Sequence, residues 1–129
     1  MSGAYQELRA WKQAMDLAEA VYRRTESFPR HELYGMVSQL RRAAVSIPSN
    51  IAEGKGHRSD REFLHYLFHA HGSLYEVETQ IGLALRLQYV SGAQGEELSQ
   101  HISTVARSLT GLINSISEET AVEAVSRRP

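Results

Sequence analysis

Apolar residues along this chain recur at alternating intervals of three and four, and the period-two alternation of strands is absent. That spacing predicts amphipathic helices, because it keeps one face of a 3.6-residue turn apolar. Leu8, Trp11, Met15, Ala18, Tyr22 and Thr25 trace the first face, and Leu33, Val37, Leu40, Ala44, Ile47 and Ile51 the second. Phe63, Leu67, Ala70, Leu74, Val77, Ile81 and Ala84 trace the third, and Leu98, Ile102, Val105, Leu109, Leu112 and Ile116 the fourth. The helices are expected over about residues 5–27, 32–54, 60–88 and 92–117, roughly 30–38 Å each. Short connections make neighbours antiparallel, so the expected fold class is all-α: an antiparallel up-down-up-down four-helix bundle over residues 1–117.

The breaks between these stretches agree. Pro29 disfavours helical geometry at Phe28 and so ends the first helix. Gly54-Lys55-Gly56 is expected to close the second with a left-handed glycine. Ser59 with Glu62, and Ser91 with Gln94, read as capping boxes for the third and fourth. Beyond Ile116 the period decays, and residues 118–129 read as a frayed or disordered tail. Pro48 lies inside the second helix, whose core register runs straight through it. A bend is therefore expected, with Ser46, Ser49 or Asn50 satisfying the freed carbonyl of Ala44.

A length of 129 residues fits one domain with a real core. The chain has no cysteine, which excludes disulfides, cysteine-based zinc sites and a thiol nucleophile. The start, MSGAYQELRAWKQ, is polar rather than signal-like. No apolar run approaches the roughly 20 residues that span a bilayer. A soluble, cytoplasmic protein is the expectation. With 14 basic and 15 acidic residues the net charge is −1, so any nucleic-acid contact rests on a local patch.

Such a patch is predicted. Alternating helices bring the start of the first helix near the loop between the second and third, gathering Arg9, Lys12, Lys55, His57, Arg58 and Arg61. Glu7, Glu53, Asp60 and Glu62 lie close by and partly neutralise them. Repeated around a symmetric oligomer, the cluster becomes a phosphate-binding surface; in a single copy it is ordinary mixed surface.

Other chemistry is weaker. Glu62, His65 and His69 share one helical face, with Glu76 further along, in the style of carboxylate–histidine metal clusters. A di-iron site needs a second Glu-x-x-His on another helix, and Glu97 and His101 are four apart. No serine sits in a nucleophile turn, the Gly-Lys-Gly loop lacks the spacing of a phosphate loop, and His57 stands alone. No catalytic residue, metal, cofactor or small-molecule substrate is assigned.

Apolar residues exceed what one seam needs. Ala14, Leu17, Val21 and Phe28 form a second row on the first helix, joined by Met36 and Ala43 on the second and Leu64, Phe68 and Tyr75 on the third. Two uses fit: a wide bundle stripe or a subunit interface built from Leu17, Val21, Phe28, Met36, Phe68 and Tyr75. Arg41 and Arg42 flank the core row and are expected to pair with Glu53, Glu76 or Glu78, within the bundle or across a subunit boundary.

Three stretches, WKQAMDLAEAVYRRTESFP, YGMVSQLRRAAVSIPSNIAEGKGHRS and EFLHYLFHAHGSLYEVETQ, carry a resemblance to the small four-helix-bundle proteins encoded within intervening sequences of bacterial 23S ribosomal RNA genes. The resemblance covers about residues 5–117 and is densest from Tyr34 to Gly54. It implies an antiparallel bundle assembling as a ring-like homopentamer, with no established enzymatic activity. The chain is also similar to the accessory protein of diversity-generating retroelements, a basic pentameric bundle that binds nucleic acid and a reverse transcriptase. The expectation is a noncatalytic homo-oligomer with RNA, DNA or a nucleoprotein as partner; the alternative is a structural or protein-interaction module.

Overall fold

The computed structural model describes residues 4–126. A 3-10 turn, Ala4–Glu7, leads into helix α1, Arg9–Thr25. A 3-10 turn at Arg30–Glu32 and a π-helical turn at Leu33–Val37 precede α2, Ser38–Lys55. Helix α3 covers Asp60–Arg86 and α4 covers Gly92–Ser126. The described residues form no strand. Helices α1 and α3 each pack against both α2 and α4, which encloses one core. Leu17, Leu40, Ile47, Ile51, Leu67, Leu98 and Leu109 are among its fully buried side chains, each contributing about 1.5–3 kcal/mol of transfer free energy.

Polar links fix which turns face each other. Arg24 on α1 holds Glu97 at the start of α4, its Nε donating at 3.0 Å, while Ser108, a few turns along α4, donates to Gln13 near the start of α1. Ser46 on α2 meets Ser73 on α3 at 2.8 Å.

On α1 the second apolar row lies in the core, and the first is split: Ala18 and Thr25 are buried and Leu8 and Trp11 pack on the core, but Met15 and Tyr22 face outward. Ala14, Leu17 and Val21 are fully enclosed, and Phe28 beyond the helix is buried against Tyr89 at a ring distance of 5.4 Å. Met15 and Tyr22 from the supposed core row are 45% and 42% exposed, with Trp11 half-buried. The row facing inward lies between α2 and α4, whereas Trp11, Met15 and Tyr22 line an outer groove with Val45 and Pro48 of α2. Leu17, Val21 and Phe28 therefore have no surface to offer a neighbouring subunit. Met36 is likewise half-buried against the protomer's own core.

Helix α2 keeps its predicted seam from Val37 through Ile51, all buried, but Leu33 is 47% exposed. The π-helical turn, with Gly35 at φ −112° and ψ −108°, breaks the register ahead of the seam. Pro48 sits buried inside a continuous helix, as its neighbours' register requires. The Asn50 amide does not reach the Ala44 carbonyl; it donates to the Ser46 carbonyl at 2.8 Å and to the Ser46 hydroxyl at 2.9 Å.

Glycine acts differently from expectation at the end of α2. No glycine has a positive φ among the described residues, and Gly56 caps the helix at φ −73°. Gly54 instead permits close approach to α3: a Cβ there would lie 2.7 Å from Tyr66 Cβ and 3.0 Å from Phe63 Cδ1. The left-handed residue is Gln88, φ 62°, after α3. Tyr89 N–H bonds the Ala84 carbonyl at 2.9 Å and Gln88 N–H the Leu85 carbonyl at 3.1 Å, the paired bonds of a Schellman cap.

The box at Ser91–Gln94 is complete, with bonds of 3.1 and 3.0 Å in the two directions. At Ser59 only the hydroxyl half forms, accepting from Glu62 N–H at 3.1 Å. Helix α4 continues to Ser126, past the expected end near 117, and its residues 117–126 are all exposed. Alanine and glutamate sustain those turns by intrinsic propensity, without packing.

Candidate functional site

The end of the bundle that holds the α2–α3 connection carries most of the predicted cations. The Ala4–Glu7 turn packs on α2, and Tyr5 and Trp11 share a groove with Ser49 and Ala52. The start of α1, with Arg9 and Lys12, thus lies beside the last turns of α2. Lys55 closes that helix with its Nζ 5.6 Å from the centre of the Phe63 ring. His57 and Arg58 follow in the connection, and Arg61 lies in the first turn of α3. All six are exposed.

Their neutralisation is smaller than their acidic neighbours suggest. Among the described residues the ion pairs are Arg23–Glu19, Arg24–Glu97 and His57–Glu62. Arg9, Lys12, Lys55, Arg58 and Arg61 enter none of them. His57 is the exception within the patch: its Nδ1 is 2.6 Å from Glu62 Oε2, and its ring stacks on Tyr66 at 4.9 Å.

That pairing removes the acid from the supposed metal cluster. Glu62 turns back to His57, while His65 and His69 meet edge-to-face at 4.6 Å, with His65 also against Tyr66. No group of three or more described histidine, aspartate or glutamate side chains could hold a metal ion. Glu62, His65 and His69 therefore do not form the metal cluster that their shared face suggests.

Within the protomer Arg41 does not pair with Glu53, Glu76 or Glu78 among the described residues. Its Nε donates to the Thr25 hydroxyl at 2.9 Å and Nη2 to the Tyr22 carbonyl at 3.3 Å, with the guanidinium 4.6 Å from the Tyr22 ring centre. Arg42 is exposed and reaches Ser38 Oγ at 3.4 Å. It lines a polar cleft with Gln39, Ser46, Ser73, Glu76 and Gln80, in which Gln80 Oε1 is buried without a partner among the described residues. On α3, Phe68 and Tyr75 are each 59% exposed, two turns apart on one face.

One cation escaped the sequence reading. Arg107, on α4, shares a cleft with Arg9, Gln13 and Ser108. Only the facing of Gln13 and Ser108 brings it there, and no local pattern in the fourth helix marks it. No described helix is long and apolar enough to cross a membrane.

Comparison with known proteins agrees with the architecture. A crystal structure of a protein of unknown function from the S23 ribosomal protein family of Bacteroides thetaiotaomicron superposes with a TM-score of 0.74 at 22% identity, covering 81% of this chain and 95% of that one. At that identity the likeness carries the fold. No curated protein matches the chain. The family model of the 23S rRNA-intervening sequence protein matches residues 6–111, nearly the whole bundle, and the chain belongs to that family.

Proposed function

We propose that this protein is a noncatalytic, cytoplasmic subunit of a ring-like homo-oligomer, an antiparallel bundle that presents its basic end to RNA, DNA or a nucleoprotein. The observation that carries the reading is the set of five exposed cations at that end, Arg9, Lys12, Lys55, Arg58 and Arg61, outside every ion pair among the described residues. Unpaired cations are free to replace the counterions of a phosphate backbone, and a ring would multiply the effect. The antiparallel course is supported by the links of α1 to α4, where Arg24 meets Glu97 and Gln13 meets Ser108. A pentamer rests on the family likeness alone.

A gel shift with structured RNA across a salt series tests the proposal. Binding that weakens steeply with salt, and falls when Lys55, Arg58 and Arg61 become alanine, supports it. Absence of binding at low salt with those residues intact sinks it.

A second reading, a module for a protein partner, is favoured by the buried, unpartnered Gln80 Oε1 beside Arg42 and Glu76. A donor from a neighbouring protein chain would satisfy it. Pull-down after nuclease treatment separates the readings, because only a protein partner stays bound.

A further inference from the structure

The cleft between α1 and α4 has about 600 Å³ of space, and its lining includes Leu8, Arg9, Gln13, Arg107, Ser108 and Gly111. Two arginines therefore line one cleft that has no acidic lining residue. Neither arginine belongs to an ion pair among the described residues. Like charges gathered without a counter-charge raise one another's energy, and a bound anion relieves it.

Two further observations give the cleft the sign and the donors of an anion site. It opens at the first turn of the 17-residue α1, where Leu8 provides no side-chain cap and no acidic residue lies in the turn. The N–H groups and positive dipole end there remain for a ligand. The Ser108 hydroxyl donates to the Gln13 side-chain oxygen, which leaves the Gln13 amide N–H groups as its remaining polar function. Guanidiniums match the oxygens of phosphate in bidentate geometry. The volume falls in the range of small-molecule sites, about 300–1,000 Å³.

We infer that the α1–α4 cleft binds a phosphorylated small molecule through Arg9 and Arg107. This goes beyond the nucleic-acid reading, with which it shares Arg9; the two positions varied below, Arg107 and Gly111, are not among the five cations of that reading. Calorimetric titration of the full chain, at low salt, with inorganic pyrophosphate and separately with a nucleoside diphosphate is the test. Saturable binding of one ligand per protomer is expected, weakened about tenfold or more by Arg107→Ala.

Arg107 is exposed, so its loss leaves the core intact. A second variant, Gly111→Asp, keeps both arginines and places a negative charge in the cleft; a Cβ at Gly111 meets nothing within 4 Å, and the same loss is expected. Equal affinity for the two probes assigns recognition to the phosphates alone, and tighter binding of the nucleoside diphosphate adds a contact to the rest of the molecule. Failure of both probes to bind, or binding unchanged in both variants, overturns the inference. RNA binding measured on the same two variants reports on the basic end independently.

Discussion

The hydroxyl of Tyr89 donates to Glu32 Oε2 at 2.9 Å, joining the residue after the α3 cap to the turn that starts α2. Glu32 uses its other oxygen to accept from Met36 N–H at 3.3 Å, so one carboxylate ties two chain reversals together. The hydrogen bond to Glu32, then burial, then the Glu32 charge hold the Tyr89 hydroxyl above its ordinary value of 10.0. The folded chain thus binds this proton more tightly than the unfolded chain does. The contact's stabilisation is complete below the unfolded pKa and is lost as pH rises through the folded one. Denaturant melts between about pH 9 and pH 11.5 should lose stability more steeply in the wild type than in Tyr89→Phe, which keeps the ring against Phe28. Parallel pH profiles would refute the coupling.

Tyr89 is delivered to that position by Gln88, whose φ of 62° is costly for a residue with a Cβ. Gln88→Gly removes the strain and keeps both Schellman bonds. An increase of about 0.5–1 kcal/mol in unfolding free energy is expected, read by chemical denaturation; a decrease would mean that the Gln88 side chain makes an offsetting contact.

Gly54 and Gly72 make a matched pair. Gly54→Ala drives a Cβ to 2.7 Å from Tyr66 Cβ, and overpacking of this kind costs about 1–3 kcal/mol. At exposed Gly72 a Cβ meets nothing within 4 Å, so Gly72→Ala should be neutral or stabilise α3 by up to about 1 kcal/mol. Thermal melts moving in opposite directions check both assignments at once.

Much of this was legible in the spacing. The third and fourth seams, from Phe63 to Ala84 and from Leu98 to Ile116, are buried at all but Leu112, which is half-buried, because each is an unbroken row along its helix, whereas the extra apolar residues Leu64, Phe68 and Tyr75 of α3 are scattered beside it. The first helix has two adjacent rows, and periodicity alone does not say which points inward; the second does so throughout, the first only at Ala18 and Thr25. Leu33 was lost to a register break at Gly35 that leaves the spacing of apolar letters intact. Of the site, the cations close in sequence from Lys55 to Arg61 could be read directly. Arg107 could not, since its place beside Arg9 depends on how α1 and α4 align.

Arg41 anchors α2 to the end of α1 by filling a lone pair of a buried hydroxyl. Thr25 is 3% exposed, donates to the Val21 carbonyl at 2.8 Å and accepts from Arg41 Nε. Arg41→Ala leaves that oxygen without its donor and should cost about 1–3 kcal/mol. Arg41→Lys keeps the charge but lacks the planar fork that spans the Thr25 hydroxyl, Tyr22 carbonyl and Tyr22 ring; it should recover only part of the loss in urea unfolding. Full recovery by lysine would show that charge alone matters.

If the proposed oligomer forms, Leu17 and Phe68 should separate the core from its proposed face on α3. Leu17 is 0% exposed inside the protomer, and Phe68 is 59% exposed on α3 with Tyr75 two turns along. Leu17→Ala opens a cavity and should cost about 2–5 kcal/mol in stability, while the remaining folded protein keeps the wild-type particle mass. Phe68→Arg places a charge on the exposed face, so it should lower the mass toward that of one chain without disturbing helical content, because no core contact is lost. Light scattering and circular dichroism on the same samples give both readouts. An unchanged mass for Phe68→Arg and Tyr75→Arg would remove α3 from the interface and leave the Met15–Tyr22 groove as the apolar surface to test next.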